Sequence, residues 1–200
     1  MRADDHAPPV RSSDLPPGAG RSSFELIDAR ALLRGLPLAA GSSFLDVACG
    51  KGLYTLAARE IVGETGSLIA FDLWEEGIAW LRREAVRRGY GNIHAFVADA
   101  GRPLPVPTNS VDVALLAMVL HDLVKSGRER GALEELERVI RPGGSLAVLE
   151  FKKVEPPPGP PLHVRITAEE VARVVTACGF RRTALAEPSV PTYLMGFVRV

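Results

Sequence analysis

The segment Phe44-Leu45-Asp46-Val47-Ala48-Cys49-Gly50-Lys51-Gly52-Leu53 constrains this chain more than any other. A short apolar strand ends in an acid, a Gly-x-Gly turn comes next, and a helix begins. Glycines let the backbone turn tightly and approach a ligand, and the free N–H groups of a helix start point at whatever sits there. The unit suits a nucleotide-type cofactor. A dinucleotide fingerprint needs a third glycine three residues further on, and Thr55 stands there instead. Asp46, four residues before Gly50, is not part of that fingerprint either.

Strand and helix signals alternate around this unit. The spacing predicts strands over 44–48, 67–71, 93–97, 113–120 and 145–151, and helices over 54–62, 74–88 and 128–140. The run 113–120 is continuously apolar, as a strand covered on both faces is. Alternation of this kind predicts an α/β fold: an open, mostly parallel sheet with helices on both faces. An earlier helix is predicted before Gly35, capped by Ser22 or Ser23 with Glu25 in its first turn. Glu155 to Pro161 holds five prolines and a glycine, which makes a stiff connector. Thr167-Ala168-Glu169-Glu170 reads as a capping box for a helix to about Cys178. Residues 182–186 and 193–198 then form an antiparallel hairpin. Residues 1–20 carry four prolines and few large apolar groups, and are expected to be a flexible tail or a lid that orders on ligand. Residues 21–200 are expected to form a single domain.

Composition narrows the function classes. The formal net charge is zero, so a broad basic face for nucleic acid is not expected. Cys49 and Cys178 are the only cysteines, which excludes a disulfide scaffold and offers no zinc spacing. Cys49 sits in the glycine turn, where a small side chain suffices. No apolar run reaches the length of a membrane span, and the first twenty residues lack the apolar stretch of a signal peptide. The default expectation is a cytoplasmic protein, monomeric or a homodimer.

Ligands of open α/β sheets bind beyond the carboxyl ends of the strands, and acids stand at three predicted ends. Asp46 can orient the loop amides or hold an amino group of the ligand. Asp72, twenty residues after Gly52, can accept from two ribose hydroxyls. Leu73 and Trp74 can cover an adenine face, though Trp74 serves equally well in a core. Asp99, with the amide of Ala100, can read an adenine amino edge or simply make an Asx turn.

These acids occur in order with Leu104-Pro105-Val106-Pro107, Ser110-Val111-Asp112 and Arg138-Val139-Ile140-Arg141-Pro142-Gly143-Gly144. Together they make the chain similar to the class I S-adenosylmethionine (SAM) methyltransferases, in the branch of the ubiquinone/menaquinone C-methyltransferases. The resemblance covers roughly residues 40–153. It implies a Rossmann-like seven-stranded sheet with six parallel strands and one antiparallel. It also implies SAM contacts along the first turn (Asp46, Ala48, Gly50, Gly52), at Asp72 with Leu73, and at Asp99 with Ala100. Tyr54 would lie near the methionine carboxylate and Ala117 beneath the methionine part. The chain departs from the quinone enzymes where the proline connector replaces a long acceptor-binding segment.

The predicted fourth strand runs into Ala117-Met118-Val119-Leu120-His121-Asp122. His121 then lies where a transferred methyl group emerges. Two readings are open: a general base oriented by Asp122, or a histidine packed at a strand end. His163 and Arg165 either face an anionic acceptor or are solvated loop residues. The leading function is methyl transfer to a small-molecule acceptor. The alternatives are a non-catalytic SAM- or nucleoside-binding module and, against the Thr55 substitution, an NAD(P)-dependent oxidoreductase.

Overall fold

Each strand buries alternate residues on opposite faces, and the apolar pattern sorts the helices between those faces. The computed structural model describes residues 20–155 and 159–200. Its elements in chain order are α1 (Ala29–Gly35), β1 (Ser43–Val47), α2 (Leu53–Val62), β2 (Ser67–Asp72), α3 (Glu75–Arg88), β3 (Ile93–Val97) and β4 (Val111–Ala117). They continue with α4 (Leu120–Lys125), α5 (Glu129–Val139), β5 (Ile140–Phe151), α6 (Ala168–Thr176), β6 (Phe180–Ser189) and β7 (Thr192–Arg199). The expected tail over 1–20, apart from Gly20, and prolines 156–158 of the connector lie outside the described residues.

The seven strands form one sheet in the order β3-β2-β1-β4-β5-β7-β6. Pairings among β1 to β5 are parallel, and β7 runs antiparallel to both β5 and β6. Phe44, Leu68, Val113, Leu115, Ala147 and Leu149 are buried under α1 and α2 on one face. Leu45, Ile69, Phe71, Leu116, Leu146 and Val148 belong to the core under α4, α5 and α6 on the other. The chain changes face between β3 and β4, so the crevice between the ends of β1 and β4 is the topological switch where α/β sheets bind ligands.

Ties at the amino end of the sheet account for two of the sequence motifs. Asp112 accepts from the Ser43 amide at 2.8 Å, holding the start of β4 to the start of β1. The Arg138 guanidinium donates to the carbonyls of Leu104 and Val106, while Glu135 accepts from the Leu104 amide at 2.6 Å. The Leu-Pro-Val-Pro loop has few amides to offer a sheet, and this clamp fastens it to α5.

Several predicted boundaries move. Asp28, not Ser22 or Ser23, caps α1 by accepting from the Ala31 amide at 2.8 Å. Strand β4 stops at Ala117 because Met118 turns left-handed at φ 61°, and a helix absent from the sequence-based expectation, α4, starts at Leu120. His121 and Asp122 therefore sit in the first turn of a helix and not at a strand end. The capping box at Thr167 and Glu170 is present with both reciprocal bonds.

Candidate active site

The glycine turn is built by steric necessity. Gly50 and Gly52 adopt φ of 57° and 68°, in the left-handed region. A Cβ on Gly52 would stand 2.4 Å from Leu81 of α3, so only glycine lets α2 begin this close to its neighbour. Ala48 also has positive φ, at 51°. With Met118, it gives two non-glycine left-handed residues at the ends of the adjacent strands β1 and β4, strain of the kind that functional crevices hold.

Asp46 is 1% exposed at the end of β1. Its Oδ2 accepts from the Thr55 amide at 3.0 Å and from the Thr55 hydroxyl at 2.6 Å. It thus satisfies one of the orphan N–H groups of α2. Thr55, where a dinucleotide site has glycine, is this carboxylate's partner. Burial pushes the Asp46 carboxyl up to about 7 against the opposing Thr55 bonds, and the charge of Asp72 adds to the rise.

Asp72, at the end of β2, accepts from the Gly50 amide and the Trp74 amide, both at 2.7 Å. It bridges the glycine turn to the start of α3. Leu73 beside it is 45% exposed, and Trp74 packs against Gly77 with the Lys51 ammonium 5.8 Å from its ring. Asp99 makes the Asx turn, accepting from the Gly101 amide at 2.9 Å, and also pairs with Arg128 at 2.6 Å. Ala100 beside it is buried, and Ala117 is partly buried at the end of β4. Asp46, Ala48, Gly50, Gly52, Asp72, Leu73, Asp99, Ala100 and Ala117 all lie at the carboxyl end of the sheet.

Tyr54 is different. Its ring is 4% exposed, packs edge-on against Phe24 and bonds the Ser23 hydroxyl at 2.8 Å. Burial pushes its phenol up to about 12. The side chain therefore faces the α1 core, and its backbone amide at the helix start is the part that remains for a ligand.

The ends of β4 and β5 hold a second polar group. His121 is 5% exposed, and its Nδ1 lies 2.8 Å from Oε2 of Glu150, which has no exposed surface. The His121 amide donates to Glu150 Oε1 at 3.1 Å. Nε2 lies 3.6 Å from Asp122. Burial lowers the imidazole's pKa, but the bond and charge of Glu150, with Asp122, outweigh burial and the opposing Arg165, so the net shift is upward. Arg165 is not a solvated loop residue. It is 3% exposed, donates to the carbonyls of Pro160, Lys152 and Val154, and lies over Phe151. It staples the two sides of the proline connector together, while His163 is exposed. Sequence reasoning missed Glu150 and Arg128. The signal for Glu150 was an acid inside the apolar run Leu146 to Phe151.

The residues fit a nucleoside carrying an amino-acid tail. Glycines clear the approach, the α2 start supplies donors, and three carboxylates gather at the strand ends. Two of them, Asp72 and Asp99, hold turn amides at distances a ligand's polar groups can take over. Among the described residues no cluster of metal-ligating side chains occurs and no helix is long and apolar enough to cross a membrane.

Comparison with known proteins agrees with this geometry. Residues 45–148 match the family model described as a methyltransferase domain. The ubiquinone/menaquinone biosynthesis C-methyltransferase UbiE of Hahella chejuensis is 37% identical over 114 residues, 57% of this chain and 45% of that protein. Its counterpart in Azotobacter vinelandii is 38% identical over 114 residues, 56% of this chain and 44% of that protein. The chain thus spans less than half the length of these relatives. A SAM-dependent methyltransferase from Aquifex aeolicus superposes with a TM-score of 0.81 at 29% identity, covering 90% of this chain and 93% of that one. The cyclase SpnF shares the fold with a TM-score of 0.72 at 21% identity, over 86% of this chain and 80% of its own. The family match spans more than half of the chain, and the protein belongs to the methyltransferase-domain family of class I SAM-dependent enzymes.

Proposed function

We propose that this protein transfers a methyl group from SAM to a small-molecule acceptor that gives up a proton. The observation that carries the reading is the glycine turn joined to Asp72 by the 2.7 Å bond at Gly50, in a chain of this family. SAM supplies, when bound, a methyl group already activated on a sulfonium. Asp72 would hold the ribose, the α2 amides the carboxylate of the amino-acid tail, and Asp99 with Ala100 the adenine edge. Asp46 keeps the start of α2 aligned. The protein's remaining task is to orient the acceptor and exclude water, and in model reactions such positioning is worth roughly 7–11 kcal/mol. His121 would take the acceptor's proton. The names of the UbiE relatives make hydroquinone rings the first acceptors to test.

Calorimetric titration with SAM, S-adenosylhomocysteine and NAD tests the cofactor. Micromolar binding of the first two, absent for NAD, supports the reading, and tight NAD binding alone overturns it. Transfer of labelled methyl to a hydroquinone panel then tests the acceptor. Adenosylhomocysteine binding without transfer to any phenol, thiol, amine or carbon acid would favour a binding module.

A further inference from the structure

We infer that Glu150 is a positioning residue that fixes the His121 ring with Nδ1–H toward itself and Nε2 as the proton-accepting nitrogen. The inference deepens the proposed methyl transfer and rests on that reading for its chemical use.

The placement comes from the sheet. Ala117 of β4 and Leu149 of β5 are register partners, so the segments leaving the two strands emerge side by side. Leu146 and Val148 face the core under α4 to α6, and Glu150 continues that alternation with no exposed surface. A carboxylate buried at the edge of such a core is costly unless its oxygens are bonded. Both are: one takes the His121 amide and the other the ring. The two contacts hold the first turn of α4 and the imidazole together, so the ring cannot turn without breaking one of them. An ionised carboxylate only accepts, so the ring nitrogen it meets is the protonated one.

The surrounding groups leave Nε2 to act. Asp122, on the same helix, is 3.6 Å from Nε2, beyond a hydrogen bond. Tyr193 lies opposite Glu150 on β7, but its hydroxyl donates to the Ile166 carbonyl at 2.7 Å. Arg165 contributes positive charge from the segment before α6, partly balancing Glu150. The imidazolium formed when Nε2 takes a proton is stabilised by the Glu150 carboxylate beside Nδ1.

The arrangement selects an acceptor class. As the acceptor atom bonds the methyl carbon, the pair of the breaking C–S bond stays on sulfur and the acceptor's proton passes to Nε2. Hydroxyls, thiols and activated ring carbons have such a proton. A tertiary amine has none and gains nothing from the dyad.

The test is nitrogen-15 NMR of the full chain labelled at histidine, titrated from pH 5 to 9 with and without adenosylhomocysteine, with His121→Gln for assignment. The wild-type neutral ring should carry its proton on Nδ1. Glu150→Gln should lower the His121 midpoint by about one pH unit or more and mix the tautomers, with adenosylhomocysteine affinity held within about twofold. A neutral ring protonated on Nε2 overturns the inference, as does an unmoved midpoint in a variant that still binds adenosylhomocysteine. The wild-type tautomer needs no variant, so poor folding of Glu150→Gln does not shield the proposal. If the wild type shows the expected tautomer but binds neither SAM nor adenosylhomocysteine, the methyl-transfer reading falls and the dyad geometry stands.

Discussion

The carboxylates at the ends of β2 and β3 and the carboxylate at the end of β5 solve the same problem in opposite ways. Asp72 and Asp99 accept from amides of short turns at the surface of the crevice. Glu150 is enclosed and answers a side chain. Turn amides and partly exposed carboxylates can exchange partners with a ligand at small cost. A buried pair cannot, because separating it leaves a charge in a poor solvent. On the proposed function, one half of the crevice would be completed by a cofactor, while the other is already paired within the protein. Asp46 is the exception within the first half: its buried bonds to Thr55 make it part of the framework.

Four measurements can break or sharpen this contrast. The largest combined effect, on stability and binding together, is expected from Gly52→Val, which brings a β-branched residue to φ 68° and against Leu81. Left-handed strain of roughly 1–2 kcal/mol adds to overpacking of about 1–3 kcal/mol. Urea unfolding should show the loss, and adenosylhomocysteine binding should vanish with it. Glu150→Ala comes next, with about 3–5 kcal/mol lost by leaving His121 without its buried partner. Whatever folds should still bind adenosylhomocysteine, and lost binding in folded protein would erase the division between the two halves. Asp72→Ala should do the reverse, weakening adenosylhomocysteine about tenfold or more, as loss of a charged hydrogen bond does, with a smaller fall in melting temperature than Glu150→Ala.

The smallest effect is a slope with pH. His121 holds its proton more tightly folded than unfolded. Its contribution is fully present below the ordinary histidine range and is lost as pH rises through the raised value. Asp46, held up to about 7, acts lower: the unfolded chain ionises it first, so stability falls from the ordinary carboxylate range up to about pH 7. Urea midpoints should decline across both ranges in the wild type. His121→Gln should flatten the upper part and Asp46→Asn the lower.

Much of the crevice was legible because backbone constraints leave marks in sequence. The Gly50-x-Gly52 turn, the strand-end acids and the Thr167 capping box are local devices with fixed spacings, and β3 was read to the residue. The misses share a cause: partners distant in sequence. Val113 to Leu120 reads as one apolar run, yet Met118 bends it, and Leu120 is apolar because α4 buries it, not because the strand continues. Ser23 looked like a helix cap, but its hydroxyl is committed to Tyr54, thirty-one positions on. Glu150 had no local signature beyond an acid among apolar neighbours, since its meaning depends on a helix that the apolar run concealed.

The position of β7 bears on how the molecule is made. Among the described residues, strand β6 has no sheet partner but β7, and β7 must lie between it and β5. When β6 has been synthesised, it has nothing in the sheet to pair with. The hairpin has to close and then slot its second strand against β5, whose pairing residues 145–151 lie more than forty positions earlier. Contacts of that sequence separation form late and slowly. Glu150 sits on β5 opposite Tyr193 of that strand, so the His121–Glu150 pair should become dry and ordered only after the hairpin has docked.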